Sequence, residues 1–287
     1  MKLAIVGPKK VTYEVERLVE EGKKYFKKVE HFPIPHITVE ANKEVRISYK
    51  NNNLLSYAIL PRIPRSYRSY GFFLLKVLEN KGKILPIKPF SVILSHNKFL
   101  TLVRLQEAGL PVPRTFLSLK RKVIEEHLDE VGYPVVLKLL YGSLGIGVMF
   151  ADSKESAISI IDTLERFNQP IFVEEFVENP GEDIRCYVIG EEIISMKRIA
   201  GERERRANIG IGGKGKPYKL AEEEIDLVKK AAEKLGMKIC SIDFIHSRNG
   251  PVIIEANVNA QFKGLESVTK ENVARKIVEF VRKIQRS

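Results

Sequence analysis

The chain has 287 residues, 44% hydrophobic and 29% charged, with a formal net charge of +12 and two cysteines. That length allows two or three lobes with a sizeable core, and the cysteine count excludes a disulfide framework. No apolar run is long enough to span a bilayer and no signal-peptide pattern is visible, so a cytoplasmic setting with unpaired Cys186 and Cys240 is expected. Abundant Lys and Glu, with no Trp, hint at a thermophilic source.

Residues 3–6 read as a first buried strand. Val11, Val15, Leu18, Val19 and Tyr25 recur at helical spacing, which predicts a helix over 11–26. Residues 53–61 read as another buried strand and 70–80 as another helix, so the first ~90 residues form a small α/β lobe with a parallel sheet. Arg62, Arg65 and Arg68 follow that strand. Ligands meet such sheets beyond the strand carboxyl ends, so these arginines suit an anion; a solvated charged loop fits the pattern at least as well. Residues 86–95 read as a linker, with Ser95 as N-cap of a helix that carries Lys98, Leu102 and Leu105. Next come an extended 111–113, a short helix at 123–131, a strand at 135–139, a glycine loop, a strand at 148–151 and a helix at 153–168. Strands at 171–177, 184–189 and 192–198, a helix at 222–235, a hairpin and a helix at 271–284 complete the chain. The expected division is an N-terminal lobe over 1–94, a central subdomain over 95–177 and a C-terminal subdomain over 178–287.

The hairpin carries the sharpest chemistry. Ser241-Ile242-Asp243-Phe244-Ile245 and Val252-Ile253-Ile254-Glu255-Ala256-Asn257 are apolar runs holding acids, which strands seldom bury without compensation. A three-residue loop, Arg248-Asn249-Gly250 with Gly250 left-handed, sets Ser247 against Pro251 and Asp243 against Glu255, with Asn257 on the same face. A two-residue turn slips the register and turns Asp243 away. An all-oxygen set suits magnesium or manganese; solvent-facing acids on an edge hairpin are the plain alternative.

Lys138 sits inside an apolar strand and needs an anionic partner. Gly142, Ser143, Gly145 and Gly147 follow it, in a loop whose amides can approach a phosphate. In the strand around 171–177, Glu174 or Glu175 points into a pocket suited to an adenine amino group or a ribose, or both acids are solvated. Asp183 is a ribose ligand or a simple turn residue. Arg185, Arg198, Arg206 and Asn208 surround a basic segment, 197–219, with eight basic and two acidic residues. Its glycines 201, 210, 212, 213 and 215 predict a flexible lid, and its single aromatic, Tyr218, argues against a nucleic-acid groove. The histidines show no metal or triad spacing, and no nucleophile motif is present.

In this order the pieces resemble the ATP-grasp superfamily, and within it the RimK-like branch of glutamate ligases. The matching pieces are Ser95-His96-Asn97-Lys98, Pro134-Val135-Val136-Leu137-Lys138, the glycine loop, Val173-Glu174-Glu175-Phe176-Val177, Asp183-Ile184-Arg185-Cys186, Met196-Lys197-Arg198, Arg206-Ala207-Asn208-Ile209, Asp243, Glu255-Ala256-Asn257, and Asn259 with Phe262-Lys263-Gly264-Leu265-Glu266. The resemblance implies an α/β (α+β) ATP-grasp fold behind an N-terminal α/β lobe. It implies Lys98 and Lys138 on the phosphates of ATP, Glu175, Phe176 and Val177 as an adenine hinge, and Asp183 on the ribose. It implies Asp243, Glu255 and Asn257 on two Mg2+ or Mn2+, with Arg185, Arg198, Arg206 and Asn208 on the acceptor carboxylate and its phosphate. Where relatives often carry Ser-Pro-Gly, this chain has Asn259-Ala260-Gln261-Phe262-Lys263, beside the substrate. The implied activity joins L-glutamate to an anionic carboxylate acceptor, a coenzyme tail or a protein C-terminus, through an acyl phosphate, in a dimer or tetramer. A ligase of amino-acid biosynthesis, joining a carrier-protein glutamate to 2-aminoadipate or glutamate, is the alternative, and a nucleic-acid-binding protein is the remote one.

Overall fold

A computed structural model describes residues 1–140, 147–178, 181–201 and 213–286. In chain order the first lobe comprises β1 (Lys2–Gly7), α1 (Tyr13–Gly22), β2 (Lys28–Pro33), β3 (Thr38–Ala41), β4 (Val45–Tyr49), β5 (Asn52–Asn53), β6 (Ala58–Pro61) and α2 (Arg68–Asn80). Strand β1 is apolar over Leu3–Val6 and fully buried there, because it is the middle strand of a parallel sheet ordered β2-β1-β6. Helix α1 starts at Thr12, whose side chain accepts from the Val15 amide, as its Ser/Thr-type cap predicts. The small antiparallel sheet β3-β4-β5 escapes sequence reading because its strands are short and largely polar.

The expected linker at 86–95 is mostly helix. Pro89 opens α3 (Pro89–Ser95), at a position where its missing amide costs nothing, and Val92 and Leu94 are buried. Ser95 therefore ends a helix and does not cap the next. Asn97 is the N-cap of α4 (Lys98–Glu107), its Oδ1 accepting from the Leu100 amide at 3.1 Å. The middle lobe follows as β7 (Thr115–Ser118), α5 (Arg121–Val131), β8 (Val135–Lys138), β9 (Val148–Ala151), α6 (Lys154–Arg166) and β10 (Ile171–Glu175), an antiparallel sheet ordered β7-β10-β8-β9. Gly147 lies at φ +82° beside β9, and its carbonyl accepts from the Leu139 amide at 2.8 Å. Gly142, Ser143 and Gly145 of the expected phosphate loop lie outside the described residues.

The last lobe holds β11 (Glu182–Ile189), β12 (Glu192–Ile199), β13 (Lys214–Pro217), α7 (Glu222–Lys234), β14 (Ile239–Ser247), β15 (Gly250–Asn257), α8 (Lys263–Thr269) and α9 (Val273–Ile284), with an antiparallel sheet ordered β13-β12-β11-β14-β15. Strand β13 lies within the segment read as a lid. It has no apolar residue to signal it, and is an edge strand of lysine, glycine and proline.

The apolar side chains group unevenly. One cluster runs from Val6, Ile59 and Leu75 through Leu105 to Val228, Ile242 and Phe244. A second joins Leu3, Ile5 and Leu18 to Tyr187, Phe262 and Val278. Both tie the first lobe to the last, whereas Ile124, Val135, Ile161 and Val173 make a core confined to the middle lobe. Each fully buried side chain of this size contributes about 1.5–3 kcal/mol, against at most about 1 kcal/mol for an exposed ion pair, so apolar burial holds the lobes together. Among the described residues, no helix is long and apolar enough to cross a membrane.

Gly190 sits in the β11–β12 turn at φ +61°, and a Cβ there would come within 2.4 Å of the Phe280 ring on α9. Gly190→Ala is expected to cost about 2–4 kcal/mol, from left-handed strain and overpacking together. Urea denaturation of the variant against the parent checks this.

Candidate active site

The hairpin brings its acids together by a different route from the expected one. Ser247 pairs with Gly250, so Arg248 and Asn249 form a two-residue turn, with Gly250 at φ +108°. That turn alone would slip the register. The slip is undone by a bulge: Phe244 pairs with Ile253 and Asp243 with Glu255, leaving Ile254 as the extra residue. Asp243 therefore faces Glu255 across the strands, and Asn257 lies two residues on, opposite Ser241.

Asp243 is 1% exposed and both its oxygens are occupied. Arg185, its cross-strand partner on β11, donates from Nε to Oδ1 at 3.0 Å and from Nη2 to Oδ2 at 2.6 Å. Arg198, one strand further out, donates from Nη2 to the same Oδ2 at 2.8 Å, and grips Asp183 with Nε and Nη2 at 2.5 and 2.8 Å. Asp183, expected on a ribose, is thus spent on Arg198. Burial pushes its carboxyl up, against the pull of Arg198 and with Asp243 adding to the push, to about 6. Arg185 and Arg198, expected on the acceptor, point at Asp243 in this structure. Arg206 and Asn208 lie outside the described residues.

Lys98, at the start of α4, reaches Glu255 with Nζ–Oε1 at 2.7 Å. Burial raises the Glu255 carboxyl, but the Lys98 ammonium, with Arg185 and Arg198 beyond it, outweighs burial and holds it at about 2. The next residues of α4, Phe99 and Leu102, pack on Phe172 of β10. Phe172 pairs with Lys138 of β8, and Lys138 forms a short contact with Glu174 two residues along β10. One helix thus links two lysine–glutamate pairs, one on each sheet. Glu174 is 4% exposed and its Oε2 has no hydrogen-bond partner among the described residues, a costly state for a buried carboxylate. Glu175 is half-buried, with its amide held by the Arg114 carbonyl at 2.9 Å. Phe176 meets the Phe150 ring edge-on at 6.1 Å, and Val177 follows it beyond β10.

Three features escaped the sequence reading. Val148 and Phe150 share the face of Lys138 through β8–β9 pairing and are only half-buried, which leaves an apolar shelf beside the lysine. The two-residue period of a strand, which sets Val148 and Phe150 on one face, was the signal for them. Ser241, opposite Asn257, is fully buried, and its Oγ has no hydrogen-bond partner among the described residues. Arg62 is 2% exposed and donates to the Ala260 carbonyl at 2.7 Å and to Tyr187 Oη at 3.2 Å, so it fastens the loop after β15 and is not an anion ligand.

Among the described residues no three His, Cys, Asp or Glu side chains gather as a metal site. The donors in question are two carboxylates and one amide on one face of a hairpin, a set that fits a hard cation. Three carboxylates (Asp183, Asp243, Glu255) meet three cations (Arg185, Arg198, Lys98), so the cluster is internally neutral.

A family model described as the RimK-like ATP-grasp domain matches residues 95–281. A probable alpha-L-glutamate ligase of Vibrio atlanticus (strain LGP32) is 33% identical over 288 residues, covering 99% of this chain and 96% of that protein. Another, from Legionella pneumophila (strain Corby), is 34% identical over 289 residues with the same coverage. The ATP-grasp ligase PsnB, solved with minimal precursor, Mg and ADP, superposes with a TM-score of 0.76 at 17% identity, over 97% of this chain and 96% of that one. A RimK domain ATP-grasp protein from Sphaerobacter thermophilus DSM 20745 gives 0.74 at 19% identity, over 98% and 99%.

Removing Asp243 leaves the Arg185 guanidinium, 17% exposed, without its carboxylate. Asp243→Ala is expected to destabilise the fold by about 3–5 kcal/mol, and Glu255→Ala, with its carboxylate 31% exposed, by about 1 kcal/mol. Chemical denaturation at pH 7 separates the two. His96, between α3 and α4, donates from Nε2 to the Ile63 carbonyl at 3.2 Å, and burial lowers its pKa from 6.5 to about 4. A depressed histidine leaves stability intact above pH 6.5 and removes it as pH falls towards 4, because the unfolded chain then binds the extra proton. The loss is expected to reach about 3 kcal/mol by pH 4 relative to His96→Gln, read from unfolding curves across that range.

Proposed function

This chain belongs to the RimK-like ATP-grasp family and is a ligase that forms carbon–nitrogen bonds, and from that premise we propose that it adds L-glutamate to an acidic carboxylate acceptor at the expense of ATP. The observation that carries the reading is the pairing of Lys98 with Glu255 and of Lys138 with Glu174, on either side of α4. Each lysine is held in a site where ATP phosphates are expected, and each glutamate would be freed by a phosphate that took its lysine. Glu255, Asp243 and Asn257 would hold magnesium, which would offset charge on the transferring phosphoryl group. The apolar shelf of Val148 and Phe150, closed by Phe176, suits a planar base, and the open Oε2 of Glu174 suits an amino donor on it.

The acceptor carboxylate oxygen attacks the γ-phosphorus, releasing ADP and forming an acyl phosphate. The glutamate amine attacks that carbonyl carbon, the C–O bond to phosphate breaks, and the amine proton passes to solvent. Arg185 and Arg198 act as positioning residues that fix the Asp243 carboxylate in place, while Arg206 and Asn208 are assigned to the acceptor and its phosphate. The lid expected over 197–219, which would exclude water that hydrolyses the intermediate, falls largely on residues 202–212, outside the described residues.

ADP release with ATP, magnesium, L-glutamate and glutamyl acceptors is the test. Release that depends on both glutamate and acceptor, and that falls by about 100-fold or more in Glu255→Ala, is expected. No ADP from any acceptor, or equal release by that variant, sinks the reading.

A further inference from the structure

Beyond the phosphate and metal residues, the first lobe presents a second set of cations to the same region. The carboxyl end of β6 leads into Arg62, Arg65 and Arg68. Arg62 is consumed inside the fold, as described. Arg65 forms no ion pair among the described residues, and its Nη1 is buried without a hydrogen-bond partner. Arg68 lies one turn on, its Nη1 donating to the Arg65 carbonyl at 3.4 Å. Buried guanidinium donors without acceptors are rare in native proteins, because each forfeits its hydration. At the same sheet edge His31 Nε2 is also buried and unpartnered, beside Gly7 at the end of β1.

This edge is joined to the reacting region by a short chain of contacts. Asn257 is followed by Val258, whose amide is held by Ser95 Oγ at 3.2 Å. His96 follows Ser95 and holds the Ile63 carbonyl, two residues before Arg65. The Arg62 guanidinium holds the Ala260 carbonyl from the other side. The loop carrying Arg65 and Arg68 therefore borders Asn259-Ala260-Gln261, the stretch that follows the hairpin. Carboxyl ends of parallel strands are where such sheets take ligands, and a guanidinium pair grips a carboxylate more specifically than lysines would.

We propose that Arg65 and Arg68 form an anion subsite that holds a carboxylate of the acceptor other than the one activated, and so select acceptors that already carry acidic residues. The subsite presupposes the ligase reading above. It takes a glutamyl chain from its far side, while the terminal carboxylate lies toward the nucleotide and metal site of Lys98, Glu255 and Asp243.

The test uses the full chain with ATP, magnesium, L-glutamate and tri-L-glutamate as acceptor. Arg65→Ala is expected to raise the acceptor KM about tenfold or more, with Arg65→Lys recovering part of the loss and calorimetric ATP affinity held within about twofold. An unchanged acceptor KM overturns the subsite, as does a parallel loss of ATP affinity, which marks a folding role. Should the parent turn over no acceptor, direct titration of tri-L-glutamate decides separately. Binding at least about tenfold weaker in Arg65→Ala keeps the subsite while the ligase reading falls. Equal binding by the two proteins, or none by the parent, overturns it.

Discussion

A carboxylate with 1% exposure cannot stand in a β-sheet unless partners are brought to it, and Asp243 sets the terms for the lobe around it. Two cations are needed because each reaches the carboxylate from a different distance. Arg185 comes from the neighbouring strand and Arg198 from one strand further, so β11 must lie between β12 and β14. Arg198 then needs its own support, and Asp183, directly opposite it, supplies that. Burial of that second carboxylate, with repulsion from Asp243 adding to it, raises the Asp183 carboxyl to about 6 despite the pull of Arg198. Sheet order, strand register and side-chain length all follow from keeping one charge buried.

The parts of this arrangement differ in how plainly they stand in the sequence. Elements with strong periodicity, such as α6 and α7 and the strands β11, β12, β14 and β15, read correctly to within a few residues. The linker that is really α3 was misread because two prolines suggest extended chain, whereas one of them opens the helix. Strand β13 has no apolar alternation at all and exists only through main-chain pairing. The facing of Asp243 and Glu255 was legible because the chemistry demands it. The turn that achieves it was not, because a bulge at Ile254 compensates a shorter loop without leaving a mark in composition. Lys98 and Glu255 stood out individually, yet 157 residues separate them, and nothing local indicates that they pair.

The two lysine–glutamate pairs give the site its shape. A lysine without a partner in such a place would sample many rotamers or lose its proton. Held by a glutamate, it is already near where a phosphate would meet it, and the exchange of one anion for another disturbs the total charge little. Helix α4 makes the two pairs part of one device, because it carries Lys98 at its start and rests Phe99 and Leu102 on the strand beside Lys138. A displacement of the middle lobe would therefore be felt at both lysines.

The first helix has its own dependence on distant residues. Tyr13 donates to Glu266, Arg17 to Asn272 and Tyr25 to Glu279, while Leu3, Ile5 and Leu18 share their core with α9. During synthesis these earliest residues emerge from the ribosome with their buried face uncovered, and their partners appear more than two hundred residues later. At typical elongation rates that is an interval of roughly 10–50 s. The nascent first lobe must spend it exposed or shielded by a chaperone, so its buried face is open to aggregation until α9 exists.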